Sequence, residues 1–165
     1  MPGFMTIDTS LAARVAGLLI SRQQTLAISE SSTGGLISAS LLSVPGASAF
    51  FLGGSITYTG KARETLLEVT PAMMSGMRSA TQEMAYLLAR TVQTRLGADW
   101  GLAETGAAGP SGNRYGDAAG HCCLAIVGPR EVGRVLETGS DDRSANMATF
   151  ANAALALLEE AMGVH

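Results

Sequence analysis

Seven consecutive residues, Ser29-Glu30-Ser31-Ser32-Thr33-Gly34-Gly35, bring a carboxylate, four hydroxyls and two glycines to the point where an apolar strand runs into a helix. Thr25-Leu26-Ala27-Ile28 reads as a short buried strand, and Leu36-Ile37 through Leu41-Leu42 places apolar residues at helical spacing. A strand-to-helix turn leaves backbone N–H groups free beside the positive end of the helix dipole. That geometry suits a bound anion or the oxyanion of an acyl transfer. It equally suits a helix that Ser31, Ser32 and Thr33 merely cap, so both readings stay open at this stage.

Two further polar segments, Tyr58 to Arg63 and Glu104 to Gly112, also fall at predicted strand ends. Open α/β sheets bind ligands outside the carboxyl ends of their strands. Convergence of the three segments would gather hydroxyls, a phenol, two cations and two carboxylates in one cleft.

The elements that must position these groups follow from periodicity and punctuation. The apolar spacing from Leu11 to Leu19 predicts an opening helix capped by Asp8 or Ser10. A strand over Thr25–Ser29 leads to a helix that ends before Pro45-Gly46. Phe50 to Tyr58 contains a strand, with Gly53-Gly54 marking a bulge or a close backbone approach. Lys61 to Leu67 fits a short helix stopped before Pro71. Ser79 and Gln82 have the spacing of a capping box for a helix running to about Leu96. Trp100 to Ala103 is a short strand, followed by a glycine-rich loop over Thr105–Ala119. Cys122–Val127 and Val132–Thr138 read as two more strands, and Ser144–Met162 as a final helix. Helices alternating with buried strands, then a hairpin-like pair, predict an α/β fold: a three-layer α/β/α sandwich around a mixed β-sheet, as one domain over residues 1–165.

Composition narrows the function. At 165 residues the chain is the size of a single domain that can bury a substantial core. Aromatics make up only 5%, so that core is built from Ala, Leu, Val, Ile and Met. Net charge is −3 with no basic run, which is unlike a nucleic-acid footprint. The stretch from Ser31 to Gly60 carries no formal charge, yet Pro45 and its glycines interrupt it too often for a membrane span. No basic segment followed by an apolar core and cleavage site opens the chain, so secretion is not expected. Cys122 and Cys123 are neighbours on a strand and point to opposite faces, which places them poorly for bridging one another. Neither has metal-ligand spacing, and His121 and His165 are far apart in sequence. The expectation is a reduced, cytoplasmic protein without metal or other cofactor. His121 has no nameable catalytic partner and reads as structural.

Four landmarks in order resemble the C-terminal domain of the CinA (competence/damage-inducible protein) family. They are Glu30-Ser31-Ser32-Thr33-Gly34-Gly35, where the family typically has Glu-Ser-Cys-Thr-Gly-Gly; Val44-Pro45-Gly46-Ala47-Ser48 with Gly53-Gly54 and Tyr58 after it; Thr105-Gly106-Ala107-Ala108-Gly109-Pro110; and Asp142-Arg143 before the last helix. The resemblance covers nearly the whole chain. It implies an α/β/α fold, a cytoplasmic setting, a homodimer, and, as in stand-alone members that are nicotinamide-mononucleotide deamidases, hydrolysis of that nucleotide's carboxamide to the acid and ammonia. Departures accompany it. The family usually places a lysine five residues after the tyrosine, where this chain has Arg63 and carries Lys61 instead. The loop over 111–119 is shorter than the family's. The family's arginine near the start of the last helix has no evident counterpart, with Asn146 and Met147 in that region.

Metal-free amide hydrolysis needs a nucleophile, a proton acceptor, oxyanion donors and a grip on the substrate. Ser31 is the candidate nucleophile because its hydroxyl precedes a donor-rich helix start. Tyr58 with Lys61 is the candidate proton acceptor: a nearby ammonium favours the phenolate, and the two share a face if the helix begins at Tyr58. Otherwise Tyr58 is a half-buried strand residue and Lys61 a solvated charge. Arg63 stays charged and suits gripping a phosphate or carboxylate. Glu30, with Thr33, Gly34 and Gly35, is a candidate for orienting substrate, or else a carboxylate placed at a helix start by the dipole. Thr105, Gly106 and Gly109 either donate to a ribose phosphate or simply form a tight loop that needs glycine. The glycine spacing there is neither a dinucleotide fingerprint nor a P-loop. Three functions remain: an amidohydrolase of nicotinamide mononucleotide, a catalytically lapsed CinA-like module that binds the small-molecule nucleotide, and a purely structural or regulatory homodimer.

Overall fold

Across residues 7–164, the part that this computed structural model describes, the order of elements is α1 (Thr9–Arg22), β1 (Leu26–Glu30), α2 (Leu36–Leu42), β2 (Phe51–Ile56), α3 (Gly60–Leu67), α4 (Pro71–Met74), α5 (Gln82–Leu96), β3 (Trp100–Ala107), β4 (His121–Val127), β5 (Val132–Glu137) and α6 (Arg143–Ala161). His165 lies outside the described residues. The sheet order is β2-β1-β3-β4-β5, with β2, β1 and β3 parallel and β4 and β5 antiparallel. This is the expected mixed sheet.

Alternation along the strands divides the core in two. Leu26, Ile28, Leu102, Cys122, Leu124 and Ile126 face α1, α2 and α6. Ala27, Ala103, Cys123, Ala125 and Val127 face α5. Small residues on the second face let α5 come close, and α5 answers with Met84, Ala85, Leu88, Ala89 and Val92, one stripe at helical spacing. The same alternation separates the two free cysteines onto opposite layers, so they do not bridge.

Several boundaries depart from the sequence expectation. The helix after Tyr58 begins at Gly60 with Thr59 as its cap, so Tyr58 stands outside it. Pro71 opens a helical turn of its own at the first helical position, which its fixed φ suits. The cap of α5 is Thr81, whose hydroxyl accepts from Met84 N; Ser79 lies outside the turn and Gln82 reaches to the Leu124 carbonyl instead. Finally, β3 runs on through Thr105-Gly106-Ala107, residues read as loop from their glycine content. Pairing with Cys123, Cys122 and His121 of β4 holds them extended.

The opening cap is Asp8, as one of the two expected residues. Gly53-Gly54 provides both features the sequence suggested. The β1–β2 register slips at Leu26/Ala27, leaving Leu52 as the extra residue. A Cβ on Gly54 would stand 2.7 Å from the Ile28 carbonyl oxygen. Gly54→Ala should therefore lower stability by about 1–3 kcal/mol, the usual cost of forcing extra volume into a packed interior. Urea denaturation measures it, and an unchanged midpoint would mean that β1 and β2 separate without cost.

Candidate functional site

Because β2, β1 and β3 are parallel, their carboxyl ends line one edge of the sheet, and the segments starting at Glu30, Tyr58 and Glu104 all leave from that edge. The centre of this edge is occupied by two carboxylates that the chain folds around. Glu30, buried, accepts from Thr33 Oγ1 (2.7 Å) and from the backbone N–H groups of Gly35, Ile37 and Ser38 (3.1, 3.0 and 2.9 Å). Glu104, also buried, accepts from Ser31 N (2.8 Å), Thr33 N (3.1 Å) and the Ser32 hydroxyl, and lies 2.8 Å from the same Thr33 Oγ1, whose single proton lies between the two carboxyl groups.

These bonds change the reading of the Ser31–Gly35 turn. The amides expected to be free for a ligand are consumed by the protein's own carboxylates. Glu30 is the anion at the start of α2, doing from the end of β1 what the cap residue Gly35 cannot do for lack of a side chain. Its substrate-orienting role is therefore replaced by a capping one. Thr33 is likewise diverted: its hydroxyl lies between Glu30 and Glu104 and has no exposure to a ligand. Gly34 and Gly35 adopt φ of 64° and 102°, so the turn requires them for backbone conformation. Ser31 alone in the segment keeps a half-buried hydroxyl with no partner among the described residues, while its N–H is tied to Glu104.

Burial pushes the Glu104 carboxyl up from the ordinary carboxylate range, against the opposite pull of Ser32, Ser31 and Thr33. Glu104 went unassigned in the sequence as more than part of a polar segment. Its role depends on a partner 73 residues away.

Beside this cluster lies a cavity of about 250 Å³ walled by Tyr58, Gly106, Ala107, Ala108, Gly109, Ser111, Gly112, Asn113 and Arg143. It unites Tyr58, Gly106 and Gly109 of the expected site; Ser31, Lys61 and Arg63 are not among its walls. The cation at Tyr58 is Arg143. Its Nη2 donates to the phenol oxygen at 3.1 Å and its Nη1 donates to the Gly109 carbonyl. Arg143 is the first residue of α6, after the cap Asp142. Arg143 of the Asp142-Arg143 landmark thus stands at the start of the last helix, a residue that the sequence reading had not placed in the site. Lys61 is exposed on the first turn of α3, and the shared helical face proposed for it and Tyr58 does not exist because Tyr58 precedes the helix.

The remaining candidates separate. Thr105 is buried and its hydroxyl accepts from Ala80 N at 3.1 Å, so it braces the approach to α5 and does not face the cavity. Ala80, at the unusual φ of 58°, is held from its other side by His121. His121 Nε2 lies 2.8 Å from the Ala80 carbonyl and Nδ1 lies 2.5 Å from Glu137 Oε1. Both contacts call for an N–H on the ring. Burial alone would lower the His121 pKa, but the bonds to Glu137 and Ala80 and the nearby carboxylates outweigh it, and the net direction is up. Its ring is thereby engaged and unavailable to Ser31. Asn146 is buried and clamps the cavity loop, donating to the carbonyls of Ala108 and Ser140, both at 2.8 Å.

Arg63 is buried with its Nε unpaired, and it interacts electrostatically with Tyr115. Burial pushes its pKa down. The Tyr115 ring is flanked by Arg78 and Arg114 at 5.0 and 4.9 Å from its centroid, and Arg78 pairs with Asp117 at 2.7 Å. Among the described residues no group of three or more His, Cys, Asp or Glu side chains is placed to hold a metal ion, and no helix is long and apolar enough to cross a membrane.

Comparison with known proteins is consistent across sequence and structure. The family model for the CinA C-terminal domain matches residues 8–162. A CinA-like protein of Synechococcus sp. (strain CC9902) is 40% identical over 121 residues, which is 73% of this chain and 29% of that protein. A CinA-like protein of Chlorobium limicola is 35% identical over 157 residues, 92% of this chain and 37% of that protein. The chain thus spans about a third of the length of these curated relatives. Among solved structures, a competence-damaged protein (CinA) superfamily protein of Klebsiella pneumoniae superposes with a TM-score of 0.87 at 28% identity, over 93% of this chain and 96% of that one. The competence/damage inducible protein CihA of Agrobacterium tumefaciens gives 0.87 at 26% identity, over 97% and 98%.

The two-carboxylate cluster makes a pH prediction. A carboxyl whose folded pKa is raised holds its proton more tightly when folded. Its contribution to stability is therefore complete below the unfolded value near 4.3 and declines as pH rises through the folded value. Glu104→Gln, which mimics the neutral acid, should flatten that decline in denaturation curves taken from pH 5 to pH 9. Glu104→Ala should cost about 3 kcal/mol or more at any pH in that range, because it strands several buried donors at roughly 1–3 kcal/mol each. Equal losses in both variants would show that Glu104 is needed as an anion.

Proposed function

The chain belongs to the CinA C-terminal domain family, and on that premise we propose that it hydrolyses the carboxamide of nicotinamide mononucleotide to nicotinate mononucleotide and ammonia. The observation that carries this reading is the Tyr58–Arg143 pair, set in a cavity beside the carboxyl end of β1 where Ser31 stands. In this reading Ser31 Oγ attacks the carboxamide carbon and gives its proton to the Tyr58 oxygen as the phenol's own proton passes to the amide nitrogen, which departs as ammonia. Water afterwards cleaves the acyl–serine ester, releasing the acid and restoring the hydroxyl. Arg143, by donating to the Tyr58 oxygen, orients the phenol and leaves its own proton free to point elsewhere. The guanidinium also offers positive charge where the tetrahedral oxyanion develops. Gly106 and Gly109 keep that wall low enough for the carboxamide to approach. A cytoplasmic setting and a homodimer belong to the same proposal.

One observation favours the second reading, a lapsed nucleotide-binding module. The amides at the start of α2, which would otherwise form an oxyanion hole, are already bound to Glu30 and Glu104.

Ammonia release from nicotinamide mononucleotide separates the two. Turnover by the wild type, reduced at least about 10³-fold by Ser31→Ala, is expected for the hydrolase, since removing an activated nucleophile costs several orders of magnitude. Tyr58→Phe should lose about 10²-fold or more, the usual share of a general base. Binding without ammonia release establishes the lapsed module, and a Ser31→Ala protein with near wild-type turnover removes Ser31 from the chemistry.

A further inference from the structure

His121 opens β4 and stands opposite Ala107, the last residue of β3, on one side and Glu137, the last residue of β5, on the other. Its buried ring makes two bonds in different directions. Nε2 lies 2.8 Å from the carbonyl oxygen of Ala80, just before α5, and Nδ1 lies 2.5 Å from Glu137 Oε1. Both partners are acceptors, so both bonds exist together only when the ring carries two protons. A neutral imidazole has one N–H, and its bare nitrogen would face an oxygen lone pair. The charged groups around the ring hold their own state through the range in which histidine titrates. Asp117 Oδ2, 3.8 Å from Nε2, is paired with Arg78 at 2.7 Å, which holds its carboxyl below the ordinary range. Cys123 Sγ lies 3.6 Å from Nε2 and stays a thiol, because burial pushes its pKa up to about 11. The imidazole is then the group that changes charge near neutral pH.

We propose that His121 is a pH-dependent latch: doubly protonated, it ties the end of β5 to the segment before α5, and on losing a proton it frees the β5 end and the segment 138–142 that leads into Arg143. The neutral ring keeps the Ala80 bond and gives up Glu137. Ala80 is sealed in the protein, and stranding its carbonyl would leave a buried acceptor unpaired, whereas the Glu137 side chain is 59% exposed and turns to water. The rung beside the latch joins three segments, since Thr138 N donates to the Gly120 carbonyl and Gly120 N to the Ala107 carbonyl. Two of those segments wall the cavity, the β3 end through Ala107 and the β5 end through Arg143 beyond it. Burial alone would favour the neutral ring, but the bonds to Glu137 and Ala80 and the charge of Asp117 outweigh it, so the latch opens above the ordinary histidine range. A group whose folded pKa is raised stabilises fully below its unfolded value near 6.5 and loses that contribution as pH rises through the folded value. The latch is therefore closed in mildly acid solution and open in alkaline solution, whichever reaction the cavity carries out.

Glu137→Gln isolates the device. A carboxamide donates its N–H to the bare Nδ1 while Nε2–H stays on Ala80, so the connection survives with a neutral ring and no longer depends on pH. Backbone hydrogen exchange of Gly120 and Thr138, corrected for its intrinsic pH dependence, reads the latch directly. Between pH 5.5 and pH 8.5 the protection of these amides in the wild type should fall at least about fivefold, since a charge-assisted bond is lost, and in Glu137→Gln by less than about twofold. Titration of the ring by NMR, assigned through bonds to its own backbone, should give a wild-type pKa above about 6.5 and a lower one in Glu137→Gln. Glu104 titrates in both proteins, so the difference between them belongs to His121. A wild-type ring that titrates at or below about 6.5 overturns the latch whether or not the variant folds. So does protection in the wild type that does not change with pH, or an equal loss of protection in Glu137→Gln.

Discussion

Two buried carboxylates from neighbouring strands organise the whole ligand-facing edge of this protein. Glu30 gathers the first amides of α2 and Glu104 gathers the amides and hydroxyls of Ser31, Ser32 and Thr33, with the Thr33 hydroxyl lying between them. A buried carboxylate without such donors would be costly, and amides buried without an acceptor equally so. Each set therefore fixes the other. The turn cannot relax without exposing unsatisfied groups on both strands, and this is what holds the backbone of Ser31 while leaving its hydroxyl unbound.

The rest of the cavity is held with similar economy by side chains anchored elsewhere. Asn146 clamps the carbonyls of Ala108 and Ser140. Arg143 spans Tyr58 and Gly109, joining the segment after β2 to the loop after β3. On the far side of that loop, Arg78 pairs with Asp117, and His121 and Thr105 hold Ala80 in a left-handed conformation. Two elements remote in sequence, α6 and the segment before α5, thus contribute polar contacts to the one loop after β3.

Four buried side-chain polar atoms nevertheless lack a partner among the described residues: Ser29 Oγ, Ser55 Oγ, Thr57 Oγ1 and Arg63 Nε. Folded proteins tolerate such violations chiefly at functional sites, where a cost in stability accompanies a gain in binding. The amides of Ser31, Thr33, Gly35, Ile37 and Ser38 are taken up by Glu104 and Glu30, so the start of α2 does not present the free amides that an anion would need.

Much of the fold was legible from local pattern. Apolar spacing located α1 and α2, the spacing of Ser79 and Gln82 pointed to α5, and Asp8 or Ser10 was readable as a cap because a cap's partner, here Leu11, lies within one turn. Gly53-Gly54 announced a bulge for a similar reason: a residue without Cβ states its own backbone requirement. The four ordered motifs were equally explicit about the family. What sequence alone could not decide were pairings set by strand register and layer order. Glu104 meets Ser31 across 73 residues and Arg143 meets Tyr58 across 85, so the same residues seen along the chain pointed to free helix amides and to Lys61. The extent of β3 through Thr105–Ala107 depended likewise on the β4 partner that supplies its hydrogen bonds. Local conformation is governed by interactions within a turn or two, and a sequence displays those directly. Which carboxylate fills which helix terminus, and which cation stands beside which phenol, depends on distances that exist only once the sheet has formed.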